Sequence, residues 1–376
     1  MKFIASSSSL LRQLTNLNGV ITTNPVVPIL ENFLFKINGE EGKLVITASD
    51  LQTTMITEID IEARENGSIA VPAKILIDTL KNLPEQPVTF SIDEETYSIE
   101  INSENGRYKL AGESAADFPK IPEIEEASTV NMSSDILLRA INNTLFSVSN
   151  DDLRPAMTGV YISLTSEGVT FVATDGHRLI RYSRTDMQSD FNSSIILPKK
   201  SLNMLKNTLP AEDTEVKMEF NKANAFFEFG NFKMVCRLID ERFPDYENVI
   251  PLHNNNEVNI DRQELLSTLR RIAIYANKST NQVRFKIAGS QLAVSAEDLD
   301  FSNEANENLS CEHEGADIEI GFNAKFLIEM LNNMDSDITL KLSQPNKAAL
   351  IVPSELDNHE DILMLIMPVM LNSYHA

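Results

Sequence analysis

Three stretches share one pattern: Pro72-Ala-Lys74-Ile-Leu-Ile-Asp-Thr-Leu80-Lys81-Asn-Leu83, Pro198-Lys199-Lys200-Ser-Leu-Asn-Met-Leu205-Lys206-Asn-Thr-Leu209, and Asn323-Ala-Lys325-Phe-Leu-Ile-Glu-Met-Leu331-Asn-Asn-Met334. Each opens on a helix-starting residue and then places apolar side chains at helical spacing. Lys74, Lys200 and Lys325 stand 126 and 125 residues apart, one third of a 376-residue chain. Looking outward, a second helical family precedes each stretch: Leu10-Leu11-Arg12-Gln-Leu14, Leu137-Leu138-Arg139-Ala-Ile141, and Leu265-Leu266-Ser-Thr-Leu269-Arg270-Arg271. A strand ending in a small-acidic step recurs as well, at Val45–Asp50, Phe171–Asp175 and Ala293–Asp298. Self-similarity at a fixed period implies repeated structural units. The chain is therefore expected to form three similar domains, 1–122, 123–251 and 252–376, with Pro-containing connectors at Phe118-Pro119-Lys-Ile-Pro122 and from Phe243-Pro244 to Pro251.

Between the helices the period changes to two. Val216, Met218 and Phe220 alternate with polar residues, Asn221–Asn224 turns, Phe227 and Phe229 alternate, Gly230-Asn231 turns, and Phe232, Met234 and Cys236 alternate again. That is a meander of short antiparallel strands with one buried face. Each repeat is expected to be α+β, with two helices packed on antiparallel sheet.

The bulk numbers exclude several classes. A 42 % apolar, 23 % charged composition suits a globular chain, and no apolar run approaches the roughly 18 residues a membrane helix needs. The polar start Met1–Ser9 predicts no secretory leader. Cys236 and Cys311 stand far apart without metal-ligand spacing, which fits a reducing cytoplasm.

Catalytic chemistry is poorly represented. Gly39-Glu-Glu-Gly42-Lys43-Leu44 lacks the first glycine of a phosphate loop, Ile37 standing there, and Leu44 lacks the metal-binding hydroxyl; a hairpin turn is expected instead. His177, His253, His313, His359 and His375 show no metal-ligand spacing, so no metal and no cofactor are expected. Acidic runs such as Asp151-Asp152 are expected to be solvated surface. Thr174-Asp175-Gly176-His177-Arg178-Leu179 is sharper. Asp175 and Gly176 suit a strand-ending turn, but only the middle repeat continues with His-Arg-Leu.

The net charge of −23 argues at first against nucleic acid, whose binding rests on phosphate neutralisation. Its distribution argues otherwise. The helical segments 6–18, 72–83, 134–146, 198–209, 261–277 and 322–333 together carry +6, leaving −29 for the remainder. Mildly basic helices against an acidic remainder confine any weak attraction to phosphate to the helix faces. The residues alone leave three readings open: a protein whose helices meet DNA, an acidic interaction scaffold, or an enzyme using His177 and Asp175.

Several motifs, in one order along the whole chain, resemble the β subunit of bacterial DNA polymerase III, the sliding-clamp family. They are Pro28-Ile29-Leu30 with Asn32, Val71-Pro72-Ala73-Lys74, Ala115–Pro119, Arg154–Gly159, Ala173–Leu179, Arg242–Tyr246 and Met367-Pro368. The resemblance implies a non-catalytic processivity factor, closed as a six-domain ring in a head-to-tail homodimer. Its partners would be double-stranded DNA, bound without sequence preference, the replicative polymerase, the clamp loader and other proteins carrying a clamp-binding peptide. It implies DNA-facing positions at Arg12, Lys74, Lys81, Arg139, Lys199, Lys200, Lys206, Arg270, Arg271 and Lys325. It implies a peptide pocket at Arg154, Met157, Thr174, Gly176, His177, Arg178, Leu179, Pro244, Val249, Met367, Pro368, Val369, Met370 and Leu371. Across the dimer, Tyr108 and Leu110 would meet Ile274 and Tyr275. The chain departs from the family at four places. Val369-Met370-Leu371 replaces a Met-Arg-Leu ending, so a basic contact to the peptide is expected to be missing. Asn372–Ala376 runs past the usual terminus and can partly cover the pocket. Asn24 and Pro155-Ala156 replace basic and aromatic residues at positions resembling DNA contacts, so DNA contact outside the hole is expected to be weaker or differently built.

Overall fold

The structure, a computed structural model, describes residues 1–371. Six α-helices fall on the six expected segments: α1 (Ser7–Leu17), α2 (Ala73–Lys81), α3 (Ser134–Thr144), α4 (Lys199–Thr208), α5 (Arg262–Ile272) and α6 (Ala324–Asn332). Local chemistry sets their starts. Asp261 accepts a hydrogen bond from the Glu264 amide at 2.7 Å to open α5, and Asn323 accepts from the amides of Lys325 and Phe326 to open α6. Leu10, Leu14 and Leu17 form the buried stripe of α1, and Leu265, Leu269 and Ile272 that of α5. Burying each such leucine stabilises by roughly 1.5–3 kcal/mol.

Contacts gather the chain into two compact units. The first is Met1–Leu138 with Lys200–Leu238; the second is Arg139–Lys199 with the chain from Ile239 onward. The expected middle domain, 123–251, is thus shared between the units, and strand pairing is the reason. In the first unit Phe232–Arg237 pairs antiparallel with Thr53–Asp60, giving an eight-stranded sheet. In the second, Arg178–Arg184 pairs antiparallel with Glu360–Ile366 within a nine-stranded sheet.

Each unit also holds a smaller sheet, so the helices serve two sheets rather than one. In the first unit the five-stranded sheet runs from Glu62–Ala63 through Lys2–Ser6 and ends on Arg107–Ala111. Helix α1 contacts both this sheet, at Lys2–Ser6, and the larger one, at Thr53–Asp60. Phe3 stacks on Phe90 at 4.6 Å with Phe35 edge-on, which joins the two layers. In the second unit the four-stranded sheet ends on Asn303–Ser310; α5 packs on it, and α6 reaches Glu360–Ile366 of the larger sheet. The expected meander is present as Glu215–Phe220, Asn224–Phe229 and Phe232–Arg237. The Gly39–Gly42 stretch is the turn between Asn32–Asn38 and Lys43–Ser49, with Gly42 at φ +64°. Among the described residues no helix is long and apolar enough to cross a membrane.

Candidate functional site

The motif Thr174–Leu179 forms the turn between Gly168–Thr174 and Arg178–Arg184. One Asp175 carboxylate oxygen accepts from the amides of His177 and Arg178 at 2.9 and 3.0 Å. The Thr174 hydroxyl donates to the Arg178 carbonyl at 2.7 Å and accepts from the Gly176 amide at 3.1 Å. Gly176 sits at φ +90°, where an L side chain is strained, and an added Cβ would come within 2.7 Å of the Arg154 guanidinium. That guanidinium is held at 2.9 Å by Asp151 and donates to the Asp175 carbonyl. Glycine therefore lets Arg154 lie across the turn.

His177 is exposed, with its ring against Phe326 of α6 at 6.1 Å. Its carbonyl accepts from the Met367 amide at 2.8 Å, extending the pairing of the two neighbouring strands by one step. Met367 is 44 % exposed beside it, and Val249 and Met370 are exposed as well. Leu179 is buried, in a cluster with Val172, Ile196, Phe243, Leu350 and Leu365. Half-buried Ala156, Tyr246, Ile250, Ala348 and Leu363 pack on that cluster. The result is an apolar floor with a flexible methionine and an aromatic rim. Pro244 and Met157 are half-buried at their expected positions. Beyond Pro368 the Val369 amide donates to the Gly321 carbonyl at 2.8 Å, and Leu371 lies over Gly321, where only the missing Cβ leaves room. The tail Asn372–Ala376 lies outside the described residues.

Ala348, Leu350 and Leu363 were not picked out from the sequence. Their signal is parity. Leu363, Leu365 and Met367 share one face of their strand, and Leu179 faces Leu365 across the pair.

Arg178 departs from the expected role. It is only 6 % exposed and turns away from solvent. Its guanidinium pairs with Asp175 at 3.0 Å and Glu329 at 2.6 Å, donates to the Phe146 carbonyl at 2.8 Å, and lies over the rings of Phe146 and Phe326. So held, it braces the turn against α6 from within. Thr174 likewise holds the turn from within.

The expected DNA-facing positions divide in two. Arg12, Lys74, Lys81, Lys206 and Lys325 are exposed and make no ion pair among the described residues. Arg270 donates to Asn332 at 2.7 Å, and Lys199 to Asn150 at 2.9 Å. Arg139 instead grips the buried Glu360 carboxylate with two nitrogens and Asp335 with a third. The Glu360 hydrogen bonds hold its guanidinium further still from deprotonation. Lys200 is bonded to Asp50 and the Val20 carbonyl, and Arg271 to Glu307, whose carboxyl is held below its ordinary range by that hydrogen bond. These three cations are neutralised within the chain, so their role as phosphate contacts is not supported.

The expected dimer positions need one correction. Ile274 is 65 % exposed, Tyr275 is exposed beside it, and Tyr108 is half-buried on Arg107–Ala111. Leu110 is only 6 % exposed and belongs to the chain's own core. Arg107–Ala111 and Asn303–Ser310 each end a sheet with one side unpaired, the geometry that invites strand addition.

Three sequence models match in succession: the DNA polymerase III beta subunit N-terminal domain over 1–122, its central domain over 131–245 and its C-terminal domain over 247–369. The beta sliding clamp of Vibrio cholerae is 31 % identical over 374 residues, 99 % of this chain and 100 % of that protein. That of Pseudomonas aeruginosa is 30 % identical with the same coverage. The crystal structure of the P. aeruginosa DnaN sliding clamp bound to griselimycin superposes with a TM-score of 0.93 at 28 % identity, over 99 % of this chain and 100 % of that one. By end-to-end identity and by fold, the chain belongs to the DNA polymerase III beta-subunit family, the bacterial beta sliding clamps.

Proposed function

We infer that this chain is a DNA sliding clamp of the bacterial cytoplasm, a non-catalytic processivity factor built as domains 1–122, 123–251 and 252–376. Two copies close head to tail around duplex DNA, and the apolar groove tethers the polymerase, the clamp loader and other partners by short peptides. The carrying observation is that apolar surface: exposed His177 and Met367 are hydrogen-bonded to each other at the end of the strand pair whose Leu179 and Leu365 belong to the buried cluster. An extended peptide with two apolar ends would bury about 100 Å² at each. At roughly 25 cal/mol per Å² this contributes about 5 kcal/mol before ordering costs, which suits exchangeable, micromolar binding. The two open sheet edges support closure, and exposed Arg12, Lys74, Lys81, Lys206 and Lys325 support a mild attraction to phosphate.

The test is a titration with a fluorescent peptide ending in Leu and Phe. Met367→Asp places a charge on the rim of an otherwise intact sheet. The parent protein should bind at micromolar concentrations, and the variant at least about tenfold more weakly. Equal affinity would show that the partner site lies elsewhere.

A further inference from the structure

The hairpin leading into Asn303–Ser310 carries two large apolar side chains at its tip, Leu299 and Phe301, 64 % and 73 % exposed. The tip is held in shape. Asp298 is buried; its carboxylate accepts from the Asp300 amide at 3.2 Å and the Asn277 amide nitrogen at 3.4 Å, and its carbonyl accepts from the Phe301 amide at 3.3 Å. Asn277 stands two residues beyond Tyr275, its side-chain oxygen accepting from the Ser279 amide at 3.0 Å. One hydrogen bond thus ties the tip to the apolar pair already placed at the dimer seam. Single exposed leucines are ordinary, but four large exposed apolar residues on two turns joined by a hydrogen bond are surface of the kind self-association covers.

The faces of the two open strands show where this patch goes. Glu307 turns toward α5, bonding Arg271 and Thr268, so Glu304, Asn306 and Asn308 point to the opposite face. On Arg107–Ala111, Leu110 is buried, so Tyr108 shares its helix side and Arg107 and Lys109 point outward. Every strand pair in both sheets is antiparallel. Addition in the same sense sets Tyr108 beside the Ile274 turn and brings Asn303 of one copy to the Ala111 end of the other. The Leu299–Phe301 tip then overhangs a shallow hollow of about 1030 Å³ in the second copy, lined by Thr96, Ser98, Lys109 and Ala111 among others. Tyr97, partly exposed and held by a hydrogen bond from the Gly112 amide to its carbonyl, stands at that end of the strand.

We propose that Leu299 and Phe301 form a second apolar anchor of the self-association seam, seated on a second copy of this chain in the hollow between Tyr97 and Ala111. This rests on the head-to-tail reading of Ile274, Tyr275 and Tyr108. The anchor places apolar area at the end of the seam, away from the helix side, where strand addition alone leaves the joined edge open to fraying.

Sedimentation equilibrium of the full-length chain tests it. Leu299→Ser with Phe301→Ser removes apolar groups from exposed positions without touching the core, and should raise the dimer dissociation constant roughly tenfold or more while leaving peptide affinity unchanged. As a positional check, a Thr96→Cys chain mixed with a Phe301→Cys chain should give a covalent dimer with a short bismaleimide, the native Cys236 and Cys311 being buried. Unchanged dimerisation of the serine variant, or no cross-link, while Ile274→Asp yields monomers, overturns the anchor and leaves the seam standing. Dimers that survive Ile274→Asp overturn the seam reading itself.

Discussion

Arg178→Met separates a residue that braces the groove from one that touches the bound peptide. The parent guanidinium is 6 % exposed and serves Asp175, Glu329 and the Phe146 carbonyl while lying between two phenylalanine rings. Methionine keeps the apolar contact and removes every polar one. Asp175 retains its two amide donors, and Glu329, half exposed, regains water. The loss therefore falls at the low end of the 3–5 kcal/mol of a fully buried pair, at about 3 kcal/mol, most of it from the Phe146 carbonyl and the Asp175 bond. For a cooperative unit of about 200 residues this lowers the melting midpoint by roughly 6–12 °C. Scanning calorimetry reads that shift, and peptide titration well below the new midpoint should show a several-fold weakening as His177 loses its support. The reasoning is refuted if the midpoint is unchanged while peptide affinity falls tenfold or more, because Arg178 would then be spending its charge on the peptide.

Other expectations follow from the same geometry. Asp186, bonded to Arg184 at 2.9 and 2.5 Å, has its carboxyl held below the ordinary range by that bond. A lowered folded-state pKa stabilises above the unfolded value of about 3.9 and loses that stabilisation as pH falls through the folded value. Asp186→Asn should therefore melt about 2–4 °C below the parent at pH 7, and the gap should close in scans taken near pH 2. Lys81→Glu with Lys206→Glu removes four lysines from a ring of two copies and should flatten the salt dependence of weak binding to linear DNA by up to about 4 in slope, as filter binding across salt concentrations measures. Lys200→Glu, by contrast, sets a carboxylate against Asp50 and should lower the melting midpoint. Leu110→Asp buries a charge in the five-stranded sheet and should yield unfolded or insoluble chain, whereas a seam variant stays folded and monomeric on size exclusion.

The helices were legible because their pattern repeats three times and their caps and apolar stripes are local. The middle-repeat meander was legible by its period of two. The joining of sheets across repeats was not: Thr53–Asp60 finds Phe232–Arg237 across nearly half the chain, and no local period encodes that partner. Side-chain direction was the other blind spot. Tyr108-Lys-Leu110 alternates as an edge strand does, but alternation leaves open which neighbour the helix-side face meets, and Leu110 spends itself on the chain's own core. Arg178, Arg139 and Lys200 look from composition like cations awaiting a ligand. Only their carboxylate partners Glu329, Glu360 and Asp50, distant in sequence, reveal that they are already neutralised.

Retention on closed against open DNA tests the central claim most directly. The clamp is loaded by a clamp-loading ATPase onto a nicked circular plasmid, and half of the sample is then cut once before gel filtration in moderate salt. A ring that encircles DNA stays with the circle and runs off the linear form, so protein should co-elute with the uncut plasmid alone. Equal retention on both would show that the protein holds DNA by surface contact and would contradict the clamp account.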